Sequence, residues 1–442
     1  MPGNTLKHRS SQSEQQLYDL VFMGISSVLI FLVGTDVYPI FLGPGPTTAL
    51  LGLLTLVPMA ALTLLYFGSF LRGAFSVPEL SALIALAAFS FLWSYSPGNT
   101  IERSVPLIVT SAFALMLASV LSLRSLVLLF AIVGALSMFV SLFAIATVPG
   151  ARGIPPWEDT WNGIFNHKNG LGMASVLALI FSAGAVSISE GRQRWFFKLS
   201  CLAAIVLLIA SESRSSQVVA LFSIAAFLAG ILMKRRALIW AIFYFLFVCL
   251  TVTTIVLLFV TGIIDPVFDV LERKPTLSGR IPLWTLVWPK MMEEFWFGYG
   301  YAGFWDSTSE RVQEIARNPK LRFTPFYSHN GLIETWLNTG FVGVILLFAT
   351  LVRIFRAGFA CLLQQVDRSV LVAAFLVLIA FLLLNITEGS VLSRTNPLWM
   401  SFVALSAKLC IISRVARKQP LPRNRGFGAT VSGPVARTRS IG

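Results

Sequence analysis

The sequence predicts an all-α, polytopic membrane protein of about twelve transmembrane helices. Two compositional facts and one pattern predict it. Mean hydropathy is +0.78. Hydrophobic residues make up 56% of the 442 and charged residues 12%, about half the charged share of a soluble domain. The pattern is a succession of apolar runs of about twenty residues, the length a helix needs to cross a bilayer. Only helices and closed barrels satisfy the backbone in lipid, and continuous rather than alternating runs mean helices.

In order, the predicted spans are 20–37, 46–69, 79–95, 104–122, 125–148, 169–188, 195–211, 215–233, 237–262, 330–352, 369–387 and 395–413. Only Ser211–Arg214 separates the seventh from the eighth, a tight hairpin. The formal net charge is +14, and its distribution reads as positive-inside topology rather than nucleic-acid binding. With the N-terminus in the cytoplasm, both termini are cytoplasmic. Arg72, Arg124, Arg192, Arg194, Lys198, Lys234, Arg235, Arg236, Arg353, Arg356 and Arg368 then all lie inside.

Three regions follow from this reading: a cytoplasmic N-terminal segment, 1–19; a transmembrane domain, 20–413; and a basic tail, 414–442, read as disordered. A large extracytoplasmic loop, 263–328, is inserted between the ninth and tenth helices. The N-terminal apolar run lacks a small-residue cleavage site and reads as an uncleaved anchor. The four cysteines, Cys201, Cys249, Cys361 and Cys410, follow no metal or disulfide spacing. Nothing in the sequence calls for a metal or an organic cofactor, and no Walker motif is present.

Within the large loop, Ile281–Phe297 reads as an amphipathic helix. Trp284, Val287, Trp288, Met291, Met292 and Phe295 recur at helical spacing. Such a helix would roof the membrane domain, packed on its neighbours or lying in the interface.

Cationic side chains normally avoid outer loops, yet the outer loops here keep Arg103, Arg214, Arg280 and Arg394. A guanidinium fork matches phosphate oxygens, and an arginine at the edge of a span is costly unless it meets a partner or a cavity. Pairing with Glu102, Glu212 or Glu388 is the structural alternative. His329 stands just before the 330–352 span, in FYSHNGLIETW. An imidazole there can take a proton near neutral pH. Asn330 follows it, and Glu334, about one turn on, is placed to orient the ring. Asn166, His167, Lys168 and Asn169 open the 169–188 span, with Asn169 expected near the N-cap. Lys168 and Asn169 suit phosphates and hydroxyls. GYGYAG (Gly298, Gly300, Gly303) fits a dinucleotide pattern but follows no strand, so it is not read as a nucleotide site. Asp265 and Asp269 read as a helix start.

Taken together, WSYSPGNTIERS, GIFNHKNGLG, SESRSSQ, SGRIPLW, FGYGYAGFW and HNGLIETWLNTGFVG resemble the bacterial O-antigen ligase superfamily, from about Trp93 to Trp399. GIFNHKNGLG is most similar to the exopolysaccharide-polymerase branch found in rhizobial and related bacteria. The resemblance implies metal-independent, inverting glycosyl transfer at the outer face of the bacterial inner membrane. The donor would be an oligosaccharide on undecaprenyl pyrophosphate, and the acceptor a glycan or lipid. Membrane lipid and a chain-length regulator are the further partners implied. By similarity, Arg214 and Arg280 would hold the pyrophosphate and His329 would be the base. Arg103, Lys168, Asn169, Asn330, Glu334, Arg394 and Trp284 would contact substrate, and whether His167 shares the base role stays open. Two other readings are a ligase that moves finished glycan to lipid A-core, and a transporter or flippase of polysaccharide-lipid that makes no bond.

Overall fold

The computed structural model describes residues 3–153, 160–232, 280–319, 321, 325–362 and 367–418. The chain begins with α1 (Gly3–Val33), the short α2 (Val37–Leu42), α3 (Pro46–Leu65), α4 (Phe67–Ser76) and α5 (Pro78–Phe89). Next come α6 (Pro97–Val120), α7 (Leu123–Thr147), α8 (Lys168–Ile188), α9 (Gly191–Ala210) and α10 (Arg214–Leu232). The predicted 237–262 span, Asp265 and Asp269 lie outside the described residues, as does the tail after Lys418. The chain resumes with α11 (Arg280–Glu293), α12 (Glu310–Ala316), α13 (Gly331–Leu362), α14 (Arg368–Leu384) and α15 (Pro397–Lys418). Local chemistry sets several of these starts. Pro46, Pro78 and Pro97 occupy first-turn positions, where a missing N–H costs nothing. Ser122 and Asp367 cap α7 and α14 by accepting backbone N–H bonds from the first turn.

The protein is an all-α polytopic membrane protein. Among the described residues, seven helices (α3, α6, α7, α8, α9, α13 and α15) are long and apolar enough to cross a bilayer. The α4–α5 pair passes only as one broken span, bent by 106°. Shorter apolar helices run over Tyr18–Val33, Arg214–Leu228 and Arg368–Leu384. The predicted 46–69 and 79–95 spans left 70–78 between them, where the structure has most of α4 and the bend. Arg72, Ser76 and Glu79 interrupt the apolar run around Val77 and Pro78, but hydropathy does not register a change of direction.

Small residues let the helices approach closely. A Cβ on Gly73 of α4 would fall 2.2 Å from the Leu115 carbonyl oxygen of α6, and one on Gly134 of α7 would fall 2.8 Å from Ala178 Cα of α8. Phe113, Phe181, Phe381, Trp399 and Phe402 are fully buried at the centre. There Phe381 stacks on Phe402 at 4.0 Å and the Trp399 indole N–H donates to Ser111 Oγ at 2.9 Å.

The described residues between 280 and 328 build a cap whose apolar cluster, Leu283, Val287, Met291, Tyr299, Phe304, Ile315 and Leu321, packs with Leu337 of α13. The predicted amphipathic helix is real but ends at Glu293, and its buried stripe runs through Leu283, Val287 and Met291. Trp288 and Met292 stay exposed. The cap locks onto a break in α13. Gly340 has φ +67° and ψ −169°, a region open essentially to glycine alone. Phe341 N donates to Phe295 O (2.8 Å), Val342 N to Trp296 O (3.2 Å) and Tyr299 N to Leu337 O (2.8 Å). The backbone groups freed by the break are therefore served by the 295–299 turn, as an apolar setting requires. A Cβ on Gly298 would meet Leu337 O at 2.6 Å, and one on Gly300 would meet Ser94 Cβ at 2.5 Å. The GYGYAG glycines thus allow close docking of backbone. They also bring together two of the stretches that carried the family resemblance, around Ser94 and around Gly300.

Candidate functional site

Glu388, in the loop after α14, organises the site. Its Oε1 accepts from Arg280 Nη2 at 2.6 Å and from Asn169 Nδ2 at 2.7 Å. Its Oε2 accepts from the Tyr327 hydroxyl at 2.9 Å and lies 3.8 Å from His329 Nδ1. The carboxylate is buried, while Arg280 and His329 each keep a small exposed fraction. Three separate parts of the chain deliver these groups: the first turn of α8, the first residue of α11, and the stretch that leads into α13.

The backbone around His329 is held on both sides. Trp284 donates its indole N–H to Ser328 O at 2.8 Å, and Ser328 N donates to Glu334 Oε2 at 2.9 Å. Asn330 caps α13, its Oδ1 accepting from Leu332 N and Ile333 N, and its Nδ2 donates to Ile386 O. Between these fixed points His329 takes φ +54°, a left-handed conformation unusual for a residue other than glycine and characteristic of strained functional positions. Its ring lies 3.9 Å from that of Tyr327, centroid to centroid.

The sequence expectation that Glu334 orients His329 is corrected. Glu334 sits in the first turn of α13 and turns back to Ser328 N and to the Trp305 indole N–H, 3.1 Å away. The carboxylate facing the imidazole is Glu388. The expected N-cap is also shifted: His167 Nδ1 accepts from Asn169 N at 3.2 Å, which leaves the Asn169 amide for Glu388.

Electrostatics follow from this packing. Burial pushes the Glu388 pKa up. His329, the Arg280 charge and the Tyr327 hydroxyl outweigh it, and the net result lies below the ordinary value of 4.5. A carboxylate depressed in the folded state adds stability above its unfolded pKa, and that stability is lost as pH falls through the folded value. The Arg280 clamp should therefore survive the ordinary carboxylate range and open only at lower pH. Melting temperature against pH should show this acid limb in the wild type, and Glu388→Gln should lack that part of it. The His167 pKa is lowered, mainly because protein surrounds the ring, with the charges of Lys168, His329 and Arg280 acting in the same direction and Glu388 opposing them. His167 and Lys168 thus belong to the same electrostatic cluster. Burial pushes the Tyr327 phenol up, with Glu388 adding to it.

Arg103 and Arg394 form a second cationic pair. Burial lowers the Arg394 pKa first, and the neighbouring charge of Arg103 lowers it further. Tyr301 senses both arginines and Glu334, and its hydroxyl donates to Leu392 O at 2.7 Å. Arg214 is exposed at the start of α10. Gly172, in the first turn of α8, lies so close to Ser213 and Ser216 that a Cβ there would fall 2.5 Å from Ser213 Cβ. This puts Arg214 at the same end of the bundle as Asn169. Among the described residues, no hydrogen bond or ion pair joins it to Glu388. A cavity of about 200 Å³ adjoins α8 one residue past Asn169, lined among others by Asp36, Gly170, Thr395 and Asn396.

Of the predicted site residues, the structure gathers Arg280, His329 and Asn169 around Glu388, with Lys168 beside His167, and Arg103 and Arg394 near Tyr301. Trp284, Asn330 and Glu334 support the backbone at His329, and Arg214 stands at the edge. The sequence reading had Glu388 only as an arginine's pairing partner.

Comparison with known proteins gives two similarities. Residues 199–348 match the family model described as O-antigen ligase, a stretch that holds Arg214, Arg280 and His329. Over 294 residues the chain is 25% identical to "Exopolysaccharide production protein ExoQ" of Rhizobium meliloti (strain 1021). That alignment takes in 64% of this chain and 66% of the relative, just under two thirds of its length. Over residues 199–348 the chain is thus similar to the O-antigen ligase family.

Proposed function

We propose that this protein is a glycosyltransferase that joins undecaprenyl-pyrophosphate-linked oligosaccharide units into a surface polysaccharide, at the extracytoplasmic face of the bacterial inner membrane. The observation that carries the reading is the meeting of Arg280 and His329 on one buried carboxylate, Glu388. The reaction is metal-independent and inverting. His329 takes the proton of an acceptor hydroxyl, and the oxygen bonds to the anomeric carbon of the donor sugar from the face opposite the leaving group. The bond from that carbon to the phosphate oxygen breaks, and the lipid pyrophosphate departs with the electron pair. Arg280 and Arg214 offset the charge that grows on it, where fixed cations lower the barrier most. Glu388 holds Arg280 in place and stabilises the imidazolium that forms on His329, the part a buried carboxylate plays beside a catalytic histidine. Arg103, Arg394 and Lys168 widen the cationic surface for the donor. Trp284, Asn330 and Glu334 act by holding the His329 backbone.

Polymerisation is favoured over transfer to lipid A-core by the likeness to a protein named for exopolysaccharide production. Deleting the gene separates the two. Loss of long chains supports the polymerase, whereas long chains that persist but no longer reach lipid A-core support the ligase. In a complemented deletion strain, Arg280→Ala and Arg214→Ala should each cut long-chain product by about 100- to 1,000-fold per molecule of membrane-inserted protein. Unchanged chain lengths in both variants would remove their assigned role.

A further inference from the structure

The opposite end of the bundle carries a second cationic site. A cavity of about 390 Å³ is lined by Glu79 of α5, by Ala349, Val352, Arg353, Arg356 and Ala357 of α13, and by Cys410, Ser413 and Arg414 of α15. It is remote from the site already described. Arg353 lies in α13 beyond the break at Gly340, whereas His329 stands just before that helix begins.

Three arginines meet one carboxylate here. Arg353 is committed to Glu79 through both its Nε and its Nη2. Arg414 closes the end of α4, its Nη2 donating to Phe75 O (2.9 Å) and Ser76 O (3.2 Å). Those carbonyls are neutral, and the nearby carboxylate, Glu79, is already bound by Arg353. Arg356 is exposed at the cavity mouth. The lining therefore has two guanidinium charges in excess, with donors to spare. Around it the surface is apolar: Phe75, Val352 and Val415 are exposed. Ile345, Phe348, Val352 and Phe355 continue as an exposed stripe along α13 at helical spacing.

We infer that this cavity binds the phosphate headgroup of an anionic phospholipid, with an acyl chain lying along the α13 stripe. Charge selects the phosphate, and the stripe selects a lipid over free phosphate. The chain's own tail does not suit the site, because residues 419–442 contain Arg423, Arg425, Arg437 and Arg439 and no acidic side chain. Nothing in this inference depends on the glycosyltransferase reading.

The test is a thermal-shift titration of the purified full-length protein in neutral detergent. The probes are dioleoylphosphatidylglycerol, dioleoylphosphatidylcholine and inorganic phosphate. Binding to the folded state raises Tm by mass action. Phosphatidylglycerol should raise it saturably, and the other two should not. Arg356→Gln should weaken half-saturation by about tenfold, the effect of losing one charge-assisted contact. Because Arg356 is exposed, the variant should fold normally, and its lipid-free Tm checks this. Arg192→Gln, an exposed arginine on α9, should titrate like the wild type. The inference is overturned by no shift with phosphatidylglycerol, by an equal shift with phosphatidylcholine or with phosphate alone, or by an Arg356→Gln titration that matches the wild type.

Discussion

Glu388→Gln should lower long-chain polymer formation by about 100-fold or more, the order seen when a carboxylate behind a catalytic group loses its charge, while the protein still folds and inserts. Glutamine keeps the size of the side chain and one acceptor oxygen but removes the negative charge. Arg280, 2.6 Å away, then loses its counter-charge, and its guanidinium is free to leave the pyrophosphate position. His329 loses the anion that faces Nδ1 at 3.8 Å. The Tyr327 hydroxyl and the Asn169 amide, which donate to opposite oxygens of the carboxylate, cannot both keep good acceptors. Glu388→Ala is a poorer probe, because it strands a mostly buried arginine and threatens folding itself. The check is polymer length and amount in a complemented deletion strain, normalised to membrane-inserted protein. Near-normal polymer from Glu388→Gln would mean that the carboxylate is only structural.

Gly340→Ala should be the most damaging single-methyl change outside the site. Its backbone angles alone cost an alanine about 1–3 kcal/mol. The added carbon would also fall 2.1 Å from Trp296 O and 2.3 Å from Phe297 N. Both contacts are backbone, so no side chain can swing away to relieve them. The expected result is displacement of the 295–299 turn from α13 and loss of its hydrogen bonds to Leu337, Phe341 and Val342. The cap that carries Arg280 and His329 then loosens. Lower Tm and reduced yield of purified protein, with activity per folded molecule also reduced, would be the signature. Wild-type Tm and activity would show that the cap is not anchored through this break.

Much of the helical layout was legible because bilayer thickness imposes a length that hydropathy reads directly. Its changes of direction were not. Hydropathy reads the interruption at Pro78 and Glu79 but not an angle, so the 106° bend was not legible from it. Gly340 looked like an ordinary residue of a continuous span. Its reason lies in Trp296, on a different element, and only docking makes it visible. The chemistry divided along the same line. Arg280 and His329 stood out as a cation and a lone imidazole at the edges of apolar runs. Glu388 was weighed only as a partner for arginine, because its true partners are 219, 108 and 61 residues away in the chain. Glu334 was credited instead on sequence proximity, yet its place in the first turn of α13 sends it to the backbone of Ser328.

The central claim is that this site makes a glycosidic bond at the expense of a lipid pyrophosphate. Purified protein in liposomes, supplied with labelled undecaprenyl-pyrophosphate oligosaccharide, tests it most directly. The expected result is longer glycan together with one released lipid pyrophosphate for each bond formed, both absent from His329→Ala. Donor that crosses the bilayer chemically unchanged, with no longer glycan and no released lipid pyrophosphate, would contradict the claim and point to a transporter.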